Sequence, residues 1–115
     1  MPLLMLQTSK APAVDKKEDI LKECSALLAR DTGKPEKYVM VAWSESVILL
    51  DAKSGPAAFV DIRGIGGLTP DVNRKLSKDL CDLLQTRLGI KPESVYLNFT
   101  DVAATNWGWK GSTFG

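Results

Sequence analysis

Pro2, which directly follows the initiator methionine, has the most distinctive chemistry in this sequence. If Met1 is removed, Pro2 becomes a secondary amine, and an unperturbed α-amino group has a pKa of about 7.7 to 8.0. Burial against apolar residues would disfavour the ammonium form and lower that pKa, which gives a base that works at neutral pH. The alternative interpretation is an ordinary proline at an unpaired strand end, a place where a strand tolerates this residue.

The chain has no histidine, so any base in it must be of another type. Schemes of the Ser-His-Asp, Cys-His and His-metal kinds are therefore excluded. Its two cysteines, Cys24 and Cys81, are too few for a disulfide scaffold or a cysteine-rich zinc site, and we expect buried thiols. The 15 basic and 14 acidic residues give a net charge of +1, with no block of like charge. Nucleic acid and membrane are therefore not expected as partners.

Three other polar residues could bind a small acid. Lys34 could pair with a carboxylate, although a lysine after a helix end is also an ordinary solvated charge. Tyr96 and Asn98 share one face of a predicted strand, where a hydroxyl and an amide could hold a carbonyl oxygen. They could equally be polar residues on a solvated face. The glycine-rich segment 63–69 suits an anion at a helix start, or is simply a tight turn.

The elements that position these residues are predicted by the apolar periodicity. Predicted strands cover residues 2–8, 38–43, 47–50, 57–62 and 94–99, and predicted helices cover residues 15–31 and 70–88. Gly33 and Gly89 are the expected C-terminal caps, and Thr69 followed by Pro70 is typical of a helix start. With 115 residues, the chain is long enough for one domain, residues 1–115, and too short for two good cores.

The two halves of the chain resemble each other at a constant offset. The tripeptide KPE occurs at 34–36 and at 91–93, and the same offset of 57 relates Cys24 to Cys81. This favours two β-α-β units, over residues 2–50 and 57–100, each with parallel strands joined by a helix. The predicted fold class is α/β, with a four-stranded mixed sheet and two helices on one face. Because the strands carry apolar residues in both phases, the uncovered face favours an oligomer.

The sequence also carries signals about location. No apolar run approaches the roughly 20 residues that span a bilayer. The N-terminal segment has neither the basic start nor the cleavage pattern of a signal peptide. We therefore expect a cytoplasmic protein, and secretion would need an unconventional route.

The whole sequence resembles the macrophage migration inhibitory factor family, which includes D-dopachrome tautomerase, within the tautomerase superfamily. The resemblance is carried by Met1-Pro2, TGKP at 32–35, IGG at 65–67, VYLNF at 95–99 and NWGWKGSTFG at 106–115. It implies a homotrimer in which the sheets form an inner barrel, with three active sites at subunit boundaries. It also implies an isomerase that tautomerises phenylpyruvate-like or dopachrome-like keto and enol acids, with no metal or organic cofactor.

The same resemblance implies a set of site residues. Pro2 is the proton-transferring base, and Lys34 is the cation that binds the substrate carboxylate. Ile62 contacts the pocket through its backbone, and Tyr38 lines the pocket with its ring. Tyr96 and Asn98 are implied to reach in from the neighbouring subunit.

Two features depart from the family. Many relatives have a small aliphatic residue where this chain has Trp107, which places a larger group near the implied pocket mouth and bears on substrate preference. Several members carry a CxxC motif where this chain has the sulfur-free segment 57–60, so thiol-disulfide activity is not implied. The alternative to an enzyme is a cytokine-like ligand that binds a cell-surface receptor and whose pocket is vestigial, and a third interpretation is a purely structural trimer.

Overall fold

The computed structural model describes residues 2–9 and 14–115, and its elements follow one another along these residues. In chain order they are β1 (Leu3–Thr8), α1 (Val14–Thr32), β2 (Met40–Glu45), β3 (Leu49–Leu50), β4 (Lys53–Ser54), β5 (Ala58–Gly64), α2 (Pro70–Leu88), β6 (Val95–Asp101), β7 (Gly108–Trp109) and β8 (Ser112–Thr113). Short 3-10 turns lie at Glu36–Tyr38, Pro92–Ser94 and Ala104–Asn106. Met1 and residues 10–13 lie outside the described residues.

The main sheet has the strand order β2-β1-β5-β6. The outer pairs, β1 with β2 and β5 with β6, are parallel, and each pair is joined through one of the two helices. The central pair, β1 with β5, is antiparallel. The predicted fold class, a four-stranded mixed sheet built from two β-α-β units, is therefore confirmed.

Helix α2 begins and ends at the residues that its local chemistry predicts. The Thr69 hydroxyl accepts a hydrogen bond from the Val72 N–H at 3.3 Å, which satisfies one of the free amides of the first turn. At the other end Gly89 takes a left-handed conformation, with φ of 69°, and its N–H donates to the Gln85 carbonyl. Helix α1 is closed in the same way by Gly33, with φ of 71°.

The core lies between the helices and one face of the sheet. The strands contribute every second residue, and each helix contributes the apolar residues that recur along one of its faces. The largest fully buried side chains are Leu4, Leu6, Val60 and Ile62 from the sheet and Ile20, Leu28, Leu76, Leu80 and Leu84 from the helices. Burial of each such side chain contributes about 1.5 to 3 kcal/mol to folding, so this one layer supplies most of the stabilisation.

The opposite face of the sheet is uncovered in the chain alone and is mixed in character. Leu3 and Phe59 are half-buried there, and Met5 is 37% exposed. The same face also carries polar residues of these strands, such as Gln7 and Asp61. The expectation of apolar residues in both phases of these strands thus holds only in part, because the uncovered face is amphipathic.

The strand predicted at residues 38–43 begins two residues later, at Met40. Pro35 lies in extended conformation and is followed by the 3-10 turn at Glu36–Tyr38, which places Tyr38 ahead of the strand. The Met40 N–H then donates to the Pro2 carbonyl at 3.1 Å, and the ladder with β1 starts at that point. The prediction missed this because a turn of three residues leaves no trace in the apolar periodicity.

The strand predicted at residues 47–50 is reduced to Leu49–Leu50, and it does not join the main sheet. It pairs with β4, a segment that lies outside the predicted strands. The two residues between them, Asp51 and Ala52, have φ of 57° and 55°, as in the tight turn that matches the twist of paired strands. Val47 precedes this hairpin and is fully exposed.

A cluster of charges joins the two helices. The Asp31 Oδ1 atom lies 3.1 Å from Arg30 Nε and 3.6 Å from Lys75 Nζ. Asp79 Oδ2 lies 3.3 Å from Arg30 and 3.4 Å from Lys75, so both carboxyl groups share the same two cations. The side chain of Asp31 is fully buried, and its Oδ2 atom has no hydrogen-bond partner among the described residues.

These contacts shift the pKa values of the two carboxyl groups in opposite directions. Burial, followed by the neighbouring Asp79, raises the pKa of Asp31. The Asp31 carboxyl beside it is the main reason that the pKa of Asp79 is lowered. Asp31 is therefore the member of the pair that holds a proton more readily.

The two cysteines lie on the apolar stripes of the helices. Cys24 is buried, and Cys81 is half-buried. Among residues 2–9 and 14–115, neither helix has the length and apolarity needed to cross a membrane.

Candidate active site

A cavity of about 590 Å³ opens where the start of β1 meets the C-terminal segment. The start of β1 contributes Pro2 and Leu3, and β5 contributes Arg63. The remaining lining residues come from the turn into β2 (Lys37, Tyr38, Val39, Met40) and from the C-terminal segment (Val102, Asn106, Trp107, Gly108, Trp109, Phe114). Four separate parts of the chain therefore enclose this space.

Pro2 is buried at this cavity, and the sheet fixes its position. Its carbonyl accepts the Met40 N–H, and the next residue, Leu3, pairs with Met40 on one side and Arg63 on the other. The Pro2 nitrogen therefore belongs to a residue held between two strands. Met1, whose removal would make this nitrogen a secondary amine, lies outside the described residues.

Aromatic rings form one wall of the cavity. The Trp109 ring stacks on Phe114, with centroids 5.3 Å apart and planes at 12°, and meets Tyr38 edge to face at 5.9 Å. A hydrogen bond of 3.1 Å from the Phe114 N–H to the Trp107 carbonyl keeps the β7–β8 hairpin closed. Both aromatic residues predicted from the sequence, Tyr38 and Trp107, thus line the same cavity as Pro2.

Lys34 is close to this region but is not among the lining residues. It is half-buried, and its Nζ atom donates a hydrogen bond to the Ile65 carbonyl. Gly67 lies against it, since a Cβ atom at that position would be 3.1 Å from Lys34 Cε. Gly67 also has φ of 83°, so the glycine is required both by its backbone conformation and by the lysine beside it.

The glycine-rich segment is a turn that binds an anion of the chain itself. The Gly66 N–H donates to Asp101 Oδ1 at 2.7 Å. A carboxylate at the end of β6 therefore occupies the amide that could have served an external anion. Of the two interpretations of this segment, the structure favours the tight turn.

Ile62 is not among the lining residues of the cavity in the single chain, and its expected backbone contact stays a prediction. Its side chain is fully buried in the core, and its position in β5 is paired with Leu4 of β1 and Phe99 of β6. The period-two alternation of β5, which places Ile62 on the same face as the core residue Val60, was the available signal for this location. Ile65, three residues later, is instead the residue whose carbonyl binds Lys34.

Tyr96 and Asn98 lie on the uncovered face of β6. Tyr96 is 66% exposed and Asn98 is also exposed, as expected for two positions on the same side of a strand. They pair in register with Phe59 and Asp61 of β5, and their own strand, β6, is three positions from β2 in the sheet. Within a single chain they do not reach the cavity that contains Pro2.

Comparison with known proteins gives the family. The model of the family "Macrophage migration inhibitory factor (MIF)" matches residues 1–115. The chain belongs to the MIF family. Among its relatives, the rat macrophage migration inhibitory factor is 38% identical over 115 residues, covering 99% of each chain. The homolog of Trichinella spiralis is 35% identical over the same number of residues, covering 99% of this chain and 100% of the other.

Solved structures of MIF proteins agree with this assignment. The homologue from Prochlorococcus marinus is 37% identical, with a TM-score of 0.92 over 98% of this chain and 99% of that one. The MIF-like protein of Entamoeba histolytica is 34% identical, with a TM-score of 0.94 over 98% of both chains. The sequence prediction of a MIF-like member of the tautomerase superfamily is confirmed.

Two cations of this MIF-family cavity were missed by the sequence reasoning. Arg63 binds Asp61 Oδ2 through two nitrogens, at 3.0 and 3.3 Å. Lys37 is exposed, and its Nζ atom lies 5.0 Å from the centre of the Tyr38 ring. Arg63 begins the glycine-rich segment and Lys37 stands in no motif, and only the fold shows that both line one cavity with Pro2.

Proposed function

We propose that this protein is a keto-enol tautomerase for small 2-oxo acids of the phenylpyruvate type, with Pro2 as its base once Met1 is removed. The observation that carries the proposal is the position of Pro2, which is buried at a cavity with aromatic walls and cationic residues. Membership of the MIF family supports it. Dopachrome-like acids are a second proposed substrate type, because they also present a carboxylate beside a ring system.

The proposed reaction moves one proton within the substrate. The lone pair of the Pro2 nitrogen takes a proton from the carbon next to the substrate carbonyl, and the electrons of that C–H bond form the carbon-carbon double bond. The carbonyl oxygen becomes an enolate oxygen, which hydrogen-bond donors stabilise. Protonation of that oxygen gives the enol and restores the amine, so no co-reactant is consumed.

Lys34 is the proposed cation for the substrate carboxylate. An ammonium group has three N–H donors, and the Ile65 carbonyl occupies one of them. The remaining donors are available to a carboxylate, while the existing bond fixes the direction of the side chain. Removal of Lys34 is expected to weaken substrate binding more than it lowers the rate of the chemical step.

Tyr96 and Asn98 are proposed to contribute to the site of a neighbouring subunit when the chains assemble. Both are exposed on a sheet face that no other part of the described chain covers. In a homotrimer this face would meet neighbouring chains, and the hydroxyl and amide would complete the site of another subunit as donors to the enolate oxygen. The exposed edge strands, β2 and β6, are the natural places for such contacts.

The test compares enolisation rates for chains that differ at the N-terminus. A secondary amine is a base, whereas the nitrogen of a Met1-Pro2 peptide bond has its lone pair delocalised into the carbonyl. Activity on phenylpyruvate, followed by absorbance, should therefore scale with the fraction of chains that intact mass spectrometry shows to lack Met1. The rate of the processed protein should fall as the pH is lowered through the pKa of the buried amine, because protonation removes the lone pair.

Substitution of single prolines provides a second test of the same proposal. Pro2→Gly should lower the rate by ~10²-fold or more. Pro56→Gly, at an exposed proline ahead of β5, is the matched control and should retain the rate. A preparation that wholly retains Met1 and still turns over at full rate would exclude Pro2 as the base. Absence of turnover in fully processed protein would instead favour the cytokine-like ligand.

A further inference from the structure

The cavity that contains Pro2 is lined by charges of one sign. Lys37 and Arg63 line it, and no acidic side chain of the described residues does so. They approach from opposite sides, Lys37 from the turn before β2 and Arg63 from β5, with Leu3 paired between these strands. A cleft lined by cations attracts anions, since its walls concentrate the field of those charges.

The two cations differ in how far they are neutralised. Arg63 is paired with Asp61, whose side chain is only 14% exposed, so the charge of this guanidinium is largely balanced in place. Lys37 makes no ion pair with any residue in the described part of the chain. Its neighbour Glu36 is engaged elsewhere, since its carboxylate accepts the Ser25 hydroxyl at 2.9 Å. Lys37 is therefore the unbalanced charge of the cavity.

Lys37 lies beside the aromatic wall of the cavity. Its ammonium lies 5.0 Å from the centre of the Tyr38 ring, and Tyr38 meets Trp109 edge to face. A substrate ring that stacks within this wall would carry its outer substituent toward Lys37. Lys34 is not assigned this second role, because it is the proposed partner of the carboxylate of the 2-oxo acid and does not line the cavity beside the Tyr38 ring.

We infer that Lys37 is a specificity-determining residue that selects aryl 2-oxo acids bearing a second anionic group on the ring. The inference rests on the proposed function and extends it to a dianionic substrate class. One anionic end belongs to the 2-oxo acid that reacts at Pro2, and the other faces Lys37. An ammonium and a carboxylate that remain partly solvated attract each other only modestly, so the selectivity should be about five-fold.

Matched substrates measure this selectivity directly. The probes are phenylpyruvate, 4-carboxyphenylpyruvate and the methyl ester of the latter, which keeps the size of the substituent without its charge. The ratio of kcat/KM for the carboxylated probe to that for phenylpyruvate should be about five in the unaltered protein and near one for the ester. The ratio should fall as ionic strength rises, because salt screens an exposed pair.

Variants assign the effect to one side chain. Lys37→Gln should bring the ratio close to one, and Lys37→Arg should keep it. Lys22→Gln is the matched control, because it removes the same charge from an exposed position of α1 outside the cavity and should leave the ratio unchanged. Circular dichroism of each variant checks that the fold is retained.

The outcomes separate this inference from the proposed function. Turnover of phenylpyruvate with a ratio near one in the unaltered protein would overturn the inference and leave the tautomerase proposal standing. A ratio that Lys37→Gln leaves unchanged would do the same. If processed protein enolised none of the three probes, both proposals would fall together.

Discussion

Replacement of Asp31 by Asn tests the charge cluster between the helices. The Asp31 side chain is fully buried, and one of its oxygens has no partner among the described residues. An amide has nearly the same shape, keeps an oxygen for the Arg30 Nε–H, and offers an N–H to Asp79. The substitution therefore removes a buried charge without leaving a cavity.

The sign of the effect follows from the raised pKa of Asp31. A carboxyl whose pKa is higher in the folded state than in the unfolded state stabilises the fold below its unfolded pKa, and this stabilisation is lost as the pH rises through the folded value. Asn stays neutral throughout. Asp31→Asn should therefore match the unaltered protein near pH 4 and be the more stable of the two at pH 7.5.

Two opposing contributions set the expected gain in the free energy of unfolding. An unsatisfied buried acceptor costs about 1 to 3 kcal/mol. Loss of the ion pairs with Arg30 and Lys75, both well exposed, offsets up to about 1 kcal/mol of this. We therefore expect a net gain of about 1 kcal/mol in the free energy of unfolding at pH 7.5.

Urea unfolding at pH 4, 5.5 and 7.5, with the protein concentration held fixed, measures this difference. Asp82→Asn is the matched control, because that carboxyl is 59% exposed and paired with Lys78, and its removal should bring no gain at pH 7.5. The reasoning would be refuted by an Asp31→Asn protein that is less stable by the same amount at pH 7.5 and pH 4. Such a result would mean that Asp31 stays ionised and is stabilised by its two cations.

Two further predictions concern the thiols and the assembly. Burial raises the pKa of Cys24 to about 12, so its thiolate is scarce at neutral pH, and an aromatic disulfide reagent should label it far more slowly than a free thiol without removing activity. Cys81 should react faster than Cys24, because it is only half-buried, although burial raises the pKa of its thiol as well. Equal rates for Cys24 and a free thiol would show that the core opens readily. For the assembly, light scattering at micromolar concentration should give about three times 12.5 kDa, whereas a folded monomer would contradict the role given to the uncovered face.

The helices and the main strands could be predicted because their signals are local. Thr69 and Gly89 bound α2 through contacts with residues of the same turn, so the sequence contains the whole explanation. The small hairpins could not be found in this way. Their turns place Asp51, Ala52 and Lys110 at positive φ, where glycine would be the usual residue, and strands of two residues show no periodicity.

The lining of the cavity was predictable where position in the chain or the family resemblance indicated a residue. Pro2 stands out because it follows Met1, and the resemblance indicated Tyr38 and Trp107. Lys37 and Phe114 line the same cavity although 77 positions separate them, and no local pattern around Lys37 indicates this. The side chain of Ile62 belongs to the core, as the phase of its strand indicates, and its expected backbone contact with the pocket stays a prediction.

The antiparallel pairing at the centre of the sheet has a consequence for the history of the chain. Leu4 pairs with Ile62 and Met5 with Asp61, and these partners are 58 and 56 positions apart, so the offset of 57 between the two halves falls midway between the pairs. A local two-fold axis therefore passes through the sheet at this point, and each β-α-β unit presents the same edge to the other. Surfaces that meet a copy of themselves are those that join the subunits of symmetric dimers. The two β-α-β units of one chain are therefore arranged like the two subunits of a symmetric dimer. A cut in the chain between β2 and β5 would leave intact the pairing of β1 with β5, which joins the two units.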